Sequence, residues 1–276
     1  MKLATVRTDT GLRTVRVEDG GYVDLGPGDL GGFLSHADWR ARAANAQGPR
    51  VPVVSRSQLA PVIPYPGKIV CVGLNYRTHI TEMGRDLPEF PTLFAKYPEA
   101  LIGPNDPLTL PEESDAVDWE AELVVVVGQR VRRADRAAAE AAIAGYTILN
   151  DVTLRDWQFR TREWLQGKTW EATTPLGPYL VTPDELAPDA EISCTIDDEV
   201  VQKSNIGDLL FDAADLVSYI STILTLNPGD LIATGTTGGV GHARKPPRYL
   251  QGGETVVTRI DGIGELVTPV RRSESS

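Results

Sequence analysis

Residues 115–128 read DAVDWEAELVVVVG, with Asp118, Glu120 and Glu122 at alternate positions. The run Leu123–Val127 that follows is apolar and largely β-branched, which predicts a strand inside a sheet rather than a helix. On a strand alternate side chains share a face, so the acids would line up with Val124 and Val126, neighbours lying about 7 Å apart. A helix would instead turn Glu120 and Glu122 about 200° away from each other. The carboxylates therefore either sit at a wet sheet edge or are held by a cation. Buried without partners they would be costly, and an all-oxygen set suits Mg²⁺, Mn²⁺ or Ca²⁺ better than zinc. Asp151, at the end of YTILND, could supply a third oxygen or cap the helix expected after it.

Other side chains could work with such a centre. Along a helix starting near Val152, Arg155, Gln158 and Arg162 form one polar stripe opposite Leu154, Trp157, Trp164 and Leu165, facing either a ligand or water. His79 and Glu82 stand three apart in RTHITEMG, on one side of a helical turn. A carboxylate touching an imidazole fixes its tautomer and raises its basicity, as a general base for water requires. The same pair also fits an exposed turn with incidental charges. Lys168 could stabilise an enolate or carboxylate, or simply be solvated. Gly235, Thr236 and the glycines after them could offer backbone N–H groups to an anion, or form a tight turn. His36 and His242 have no partner at a useful spacing and read as structural.

The elements that must position these residues are mostly strands. KLATVRT and LRTVRV alternate as strands around TDTG, and LGGFLSHADWRARAANAQG reads as a helix ended by Gly48. LAPVIPYPGK, with three prolines, is the best linker. It separates a small module, residues 1–63, from the segment that carries the chemistry. ADRAAAEAAIAG predicts a helix capped by Asp135 and stopped by Gly145. EISCTIDDEVVQKS predicts a hairpin, DLLFDAADLVSYISTI an amphipathic helix, and ETVVTRIDGIGELVTPV the closing strands. Strands outnumber helices without regular βαβ alternation, so the fold class is α+β with a β-rich core. RRSESS reads as a frayed tail, residues 272–276 covering most of it.

Several functions are excluded. GKT at 167–169 is no phosphate loop, because Arg162 stands where the first glycine should be. GTTGGVG is followed by HARKPPRYL, whose prolines forbid the helix a dinucleotide site needs. There is no G-x-S-x-G elbow and no H-E-x-x-H. The net charge of −11 disfavours nucleic acid. No apolar run approaches a membrane span, and two distant cysteines suggest a reducing cytoplasm.

Taken in order, VGLNYRTHITEMG, PTLFAKYPEALIGPND, VDWEAELVVVVG, GYTILNDVTLRDWQ, GKTWEATTPLGPYLVT and LIATGTTGGVG…PPRYLQGGETV resemble the fumarylacetoacetate hydrolase family over about residues 66–271. The resemblance implies a mixed β-sandwich roll, preceded by a small α+β N-terminal domain, usually assembled as a homodimer. It makes Glu120, Glu122 and Asp151 ligands of Mg²⁺ or Mn²⁺, with Ca²⁺ also compatible. His79 and Glu82 match a water-activating dyad. Arg155, Gln158 and Lys168 match substrate-contacting positions, and Thr236, next to Gly235, matches a residue near the substrate carboxylate. Asn75 replaces the acidic residue expected in mammalian fumarylacetoacetase, and Glu171 stands where many relatives carry Asp. The implied activity is metal-dependent hydrolysis of a C–C bond in 2,4-dioxo acids of the acylpyruvate type, through a pyruvate enolate, in aromatic catabolism. The alternatives are an oxaloacetate decarboxylase, an isomerase or tautomerase of unsaturated 2-oxo diacids, and a non-enzymatic binding protein.

Overall fold

The computed structural model describes residues 1–19, 21–51, 55–82, 84 and 86–273, the side chains of Val51 and Glu82 excepted. A large mixed sheet runs in the order Arg50–Val51, Gly21–Pro27, Gly11–Glu18, Lys2–Thr8, Thr174–Val181, Ile143–Asn150, Ala121–Val127, Leu231–Thr236, Ile69–Gly73 and Thr92–Lys96. Along that path the pairs are antiparallel except Leu231–Thr236 with Ile69–Gly73. A second sheet, ordered Glu199–Asn205, Glu191–Ile196, Thr255–Ile260, Gly264–Arg272 and Leu108–Leu110, packs on part of the first. This is the β-rich α+β class expected from the strand count, and the two packed sheets are the sandwich that the family resemblance implies.

The strand Ala121–Val127 lies at the centre, every residue buried. Ala121 and Leu123 join Ile192, Cys194 and Ile260 of the second sheet. Val125 and Val127 pack on Leu216, Val217 and Ile220 of the helix Ala213–Ile223. Val124 and Val126 meet Leu30, Phe33 and Trp39 of the N-terminal segment. A strand covered on both faces needs continuous apolar residues, which accounts for the four valines.

The alternation that groups three acids on one strand face does not extend to Asp118. Val117–Asp118 is a separate short strand paired with Thr153–Leu154, and Trp119 and Glu120 interrupt it before Ala121–Val127 begins. Asp118 Oδ1 accepts the backbone N–H groups of Trp119 at 2.8 Å and Gly241 at 2.7 Å, while Oδ2 pairs with Arg155 at 2.8 Å and accepts the His242 N–H at 2.9 Å.

Other local expectations shift for identifiable reasons. The helix expected over residues 30–48 is two short ones, Leu30–Leu34 and Trp39–Asn45, because the Ser35 hydroxyl donates back to the Gly32 carbonyl and ends the first. Asp135 does cap the helix Arg136–Ala141, but Gly145 lies inside the strand Ile143–Asn150. A Cβ on Gly145 would come 2.3 Å from the Val181 carbonyl oxygen, so close strand packing requires glycine there. The proline-rich linker is pinned: Ala60 N–H bonds to Thr5, and Leu59, Val62 and Ile63 are buried. Lys2–Thr8 pairs directly with Thr174–Val181, which makes the N-terminal strands part of the large sheet. At the other end Arg272 closes the last strand, and residues 274–276 lie outside the described residues. Among the described residues no helix is long and apolar enough to cross a membrane.

Candidate active site

Asn150 pairs with Ala121, so the C-terminal end of one strand abuts the N-terminal end of the other. Asp151 N–H donates to the Glu120 carbonyl at 2.8 Å, and Glu120 N–H donates to the Asn150 side chain at 2.9 Å. These bonds carry Glu120, Glu122 and Asp151 to one point, where oxygens of the three buried carboxylates lie within 4.8 Å of one another. Asp151 does not cap a helix: Leu154 holds the cap position of Arg155–Gln158, without a side-chain bond.

Cations surround two of the three acids. The Lys168 ammonium lies 2.7 Å from Glu120 Oε2 and 2.8 Å from Asp151 Oδ2. Lys96, absent from the site residues expected from sequence, donates to Asp151 Oδ1 at 2.6 Å and is fully buried. Arg155 Nη2 lies 2.7 Å from Glu120 Oε1, while its Nε donates to Asp118 at 2.8 Å and its Nη1 to Gln158 Oε1 at 2.9 Å. Glu122 accepts one backbone N–H, from Gly235 at 2.9 Å.

The protonation states follow from this arrangement. Burial, then the charges of Asp151 and Glu120, push the Glu122 carboxyl well above its usual range. Burial opposes ionisation of Asp151 too, but Lys168 and Lys96 outweigh it and hold that carboxyl below its usual range. Burial would lower Lys168, yet Asp151 and Glu120 raise it, so it remains an ammonium ion. Three oxygen donors converging in the interior, one of them without an ion pair among the described residues, fit a divalent metal held by Glu120, Glu122 and Asp151.

Above this centre is a cavity of about 260 Å³. Glu120, Glu122 and Lys168 line its floor, with Arg155, Gln158, Thr236 and His79 around it. Phe94, Phe159, Trp164 and His242 add aromatic wall. Thr236 donates to the Ala121 carbonyl at 2.9 Å and accepts from Gln202 at 2.8 Å, which fixes its hydroxyl at the rim. Gly235 faces Glu122 rather than the cavity, and its φ of +95° and close approach to Val72 account for glycine at that position.

The continuous helix expected over residues 152–167 is instead two single turns, Arg155–Gln158 and Leu165–Lys168. The fold-back brings Lys168 and Arg155 to the same acid, whereas Arg162 is left exposed. Gly167 permits it, because a Cβ there would lie 2.5 Å from Gln158 backbone atoms. Gly167→Ala is expected to destabilise the protein by about 1–3 kcal/mol through overpacking and to lower turnover with it, checked by denaturant melts beside an activity assay.

His79 sits on the helix Arg77–Glu82, and the Glu82 side chain lies outside the described residues. His242, read from sequence as structural, lines the cavity, its Nδ1 3.0 Å from the Tyr249 hydroxyl. His36 is exposed and packs edge-on to Phe33, away from the residues that line the cavity. The Asn75 amide is consumed by Phe211 and Thr234 backbone groups at 2.8–3.0 Å, and Glu171 is exposed.

A family model described as the fumarylacetoacetate hydrolase C-terminal domain matches residues 68–271. The mitochondrial oxaloacetate tautomerase Fahd2a of Rattus norvegicus is 40% identical over 264 residues, 91% of this chain and 84% of that protein. Among solved structures, a fumarylacetoacetate hydrolase from psychrophilic Exiguobacterium antarcticum superposes with a TM-score of 0.88 at 32% identity, covering 99% of this chain and 100% of the other. The 5-carboxymethyl-2-hydroxymuconate delta-isomerase of Mycobacterium smegmatis gives 0.81 at 34% identity, over the whole of both chains. Fold, acidic centre and these matches agree: the chain belongs to the fumarylacetoacetate hydrolase family.

Proposed function

We propose that this protein is a metal-dependent tautomerase or isomerase of 2-oxo diacids, with oxaloacetate as the first substrate to try. The observation that carries the reading is the buried Lys168 ammonium beside the Glu120–Asp151 pair on the cavity floor. A fixed cation there favours any state in which a 2-oxo group becomes an enolate. The tautomerase activity of the rat relative and the isomerase activity of the mycobacterial one weigh in the same direction.

Glu120, Glu122 and Asp151 would hold Mg²⁺ or Mn²⁺, which supplies Lewis-acid polarisation of the substrate oxygens when bound. Arg155 and Gln158, locked to each other, present a rigid polar wall that orients the substrate carboxylate. Lys168 balances the charge that collects on the 2-oxo oxygen. His79 takes the proton from, or returns it to, the carbon beside that group. The aromatic wall limits access of water to the enolate.

A second reading, hydrolysis of 2,4-dioxo acids, uses the same enolate and draws support from His79, which could activate water instead. Protein stripped of metal and reloaded with Mg²⁺ or Mn²⁺ would be given enol oxaloacetate and, separately, acetylpyruvate. The expected result is metal-dependent decay of enol absorbance without pyruvate release. Metal-dependent pyruvate from acetylpyruvate, with no acceleration of the enol decay, would replace the tautomerase by the hydrolase.

A further inference from the structure

His79 lines a second cavity as well. It is a polar chamber of about 240 Å³, walled by Tyr76, Thr78, Lys203, Ser204, Asp208 and Thr237. Thr78 and Lys203 are exposed, so the chamber reaches solvent, while Tyr76 at its inner wall is only 1% exposed. The Tyr76 hydroxyl has no hydrogen-bond partner among the described residues. A buried hydroxyl left unpaired is destabilising, and ordered water is the usual remedy where a polar space adjoins it. The chamber exceeds the roughly 30 Å³ that one water occupies in the liquid, so it has room for a short chain. Burial, with the nearby charges of Glu122 and Asp208, keeps the phenol protonated and therefore a donor.

We infer that this chamber is a water-filled proton conduit between solvent and His79, with the Tyr76 hydroxyl as the fixed inner anchor of its water chain. The inference rests on the tautomerase reading and specifies how protons reach that site. In the enol-to-keto direction the enol O–H bond breaks and its proton leaves for solvent. The oxygen electron pair forms the carbonyl, and the former C=C pair forms a C–H bond with the proton from His79. His79 regains a proton from the adjacent water, which is replenished along the chain from bulk, so no net proton is consumed. Tyr76 touches no reacting atom and is a positioning residue.

Two kinds of measurement test this. A high-resolution crystal structure of the full chain should show water within hydrogen-bond distance of Tyr76 Oη; a dry chamber would overturn the conduit whatever the substrate. In metal-loaded protein, Tyr76→Phe should lower kcat for oxaloacetate tautomerisation by roughly tenfold with little change in KM, the low end for a positioned proton transfer. The rate measured across H₂O–D₂O mixtures should change from curved to linear, since fewer protons move together. Ser204→Leu, which fills the chamber from the opposite wall, should do the same and guards against a folding defect in Tyr76→Phe. Wild-type kcat and an unchanged isotope profile in both variants would reject the conduit. Absence of metal-dependent tautomerisation in the unsubstituted protein would instead reject the reading of function, leaving the water position to judge the chamber.

Discussion

Lys168→Met is expected to reduce kcat by roughly 10²–10³, the usual effect of removing one preorganised charge donor from an enolate or oxyanion site. The ammonium is 2% exposed and held between Glu120 and Asp151, so solvent cannot replace it cheaply. Methionine keeps the length and apolar stem and removes only the charge. Lys96 and Arg155 still pair with Asp151 and Glu120, which limits the structural damage. Steady-state kinetics should show the loss mainly in kcat, because the interaction strengthens as the 2-oxo oxygen gains charge. A loss confined to KM would move Lys168 from transition-state stabilisation to plain substrate binding.

Metal removal should have the second large effect, on stability as well as activity. A ligand at one hundred times its Kd stabilises the native state by about 2.7 kcal/mol, so Mg²⁺ or Mn²⁺ should raise Tm by roughly 5–10 °C over chelated protein. The basis is the convergence of three buried carboxylates within 4.8 Å, with Glu122 served only by a backbone N–H. Glu122→Gln removes one anionic ligand, and because burial and the charges of Asp151 and Glu120 already oppose ionisation of Glu122, its chelated form should melt no lower than the wild type. Adding metal to that variant should then leave Tm nearly unchanged. Calorimetric scans with and without chelator decide it: a full metal-induced shift in Glu122→Gln would remove Glu122 from the ligand set.

How much of this was legible beforehand differs from residue to residue. The central strand was, because its valines permit little else and burial on both faces demands them. The hairpin at Asp197–Asp198 and the cap at Asp135 were, because turn and cap chemistry is local. The acids and His79 were nameable because carboxylates beside a β-branched run, and a His three residues before a Glu, are short-range patterns. Linear patterns treated Asp118 as a member of the acidic face, although the strand is interrupted after it and its carboxylate is shared between Arg155 and backbone 123 residues away.

Lys96 shows the limit most plainly. It ends the strand Thr92–Lys96 at the far edge of the sheet path, and nothing local distinguishes it from a solvated lysine. Its partner Asp151 is 55 residues on. The same holds for the return of Lys168 onto Glu120, which depends on a helix broken after Gln158 and on Gly167 fitting against that turn. Sequence alone determined which segments are strands and which acids stand ready to hold a cation, because propensity and alternation act over a few residues. The tertiary structure alone decided which cations neutralise those acids and which side chains share a cavity, because charges this deeply buried choose partners by proximity in space.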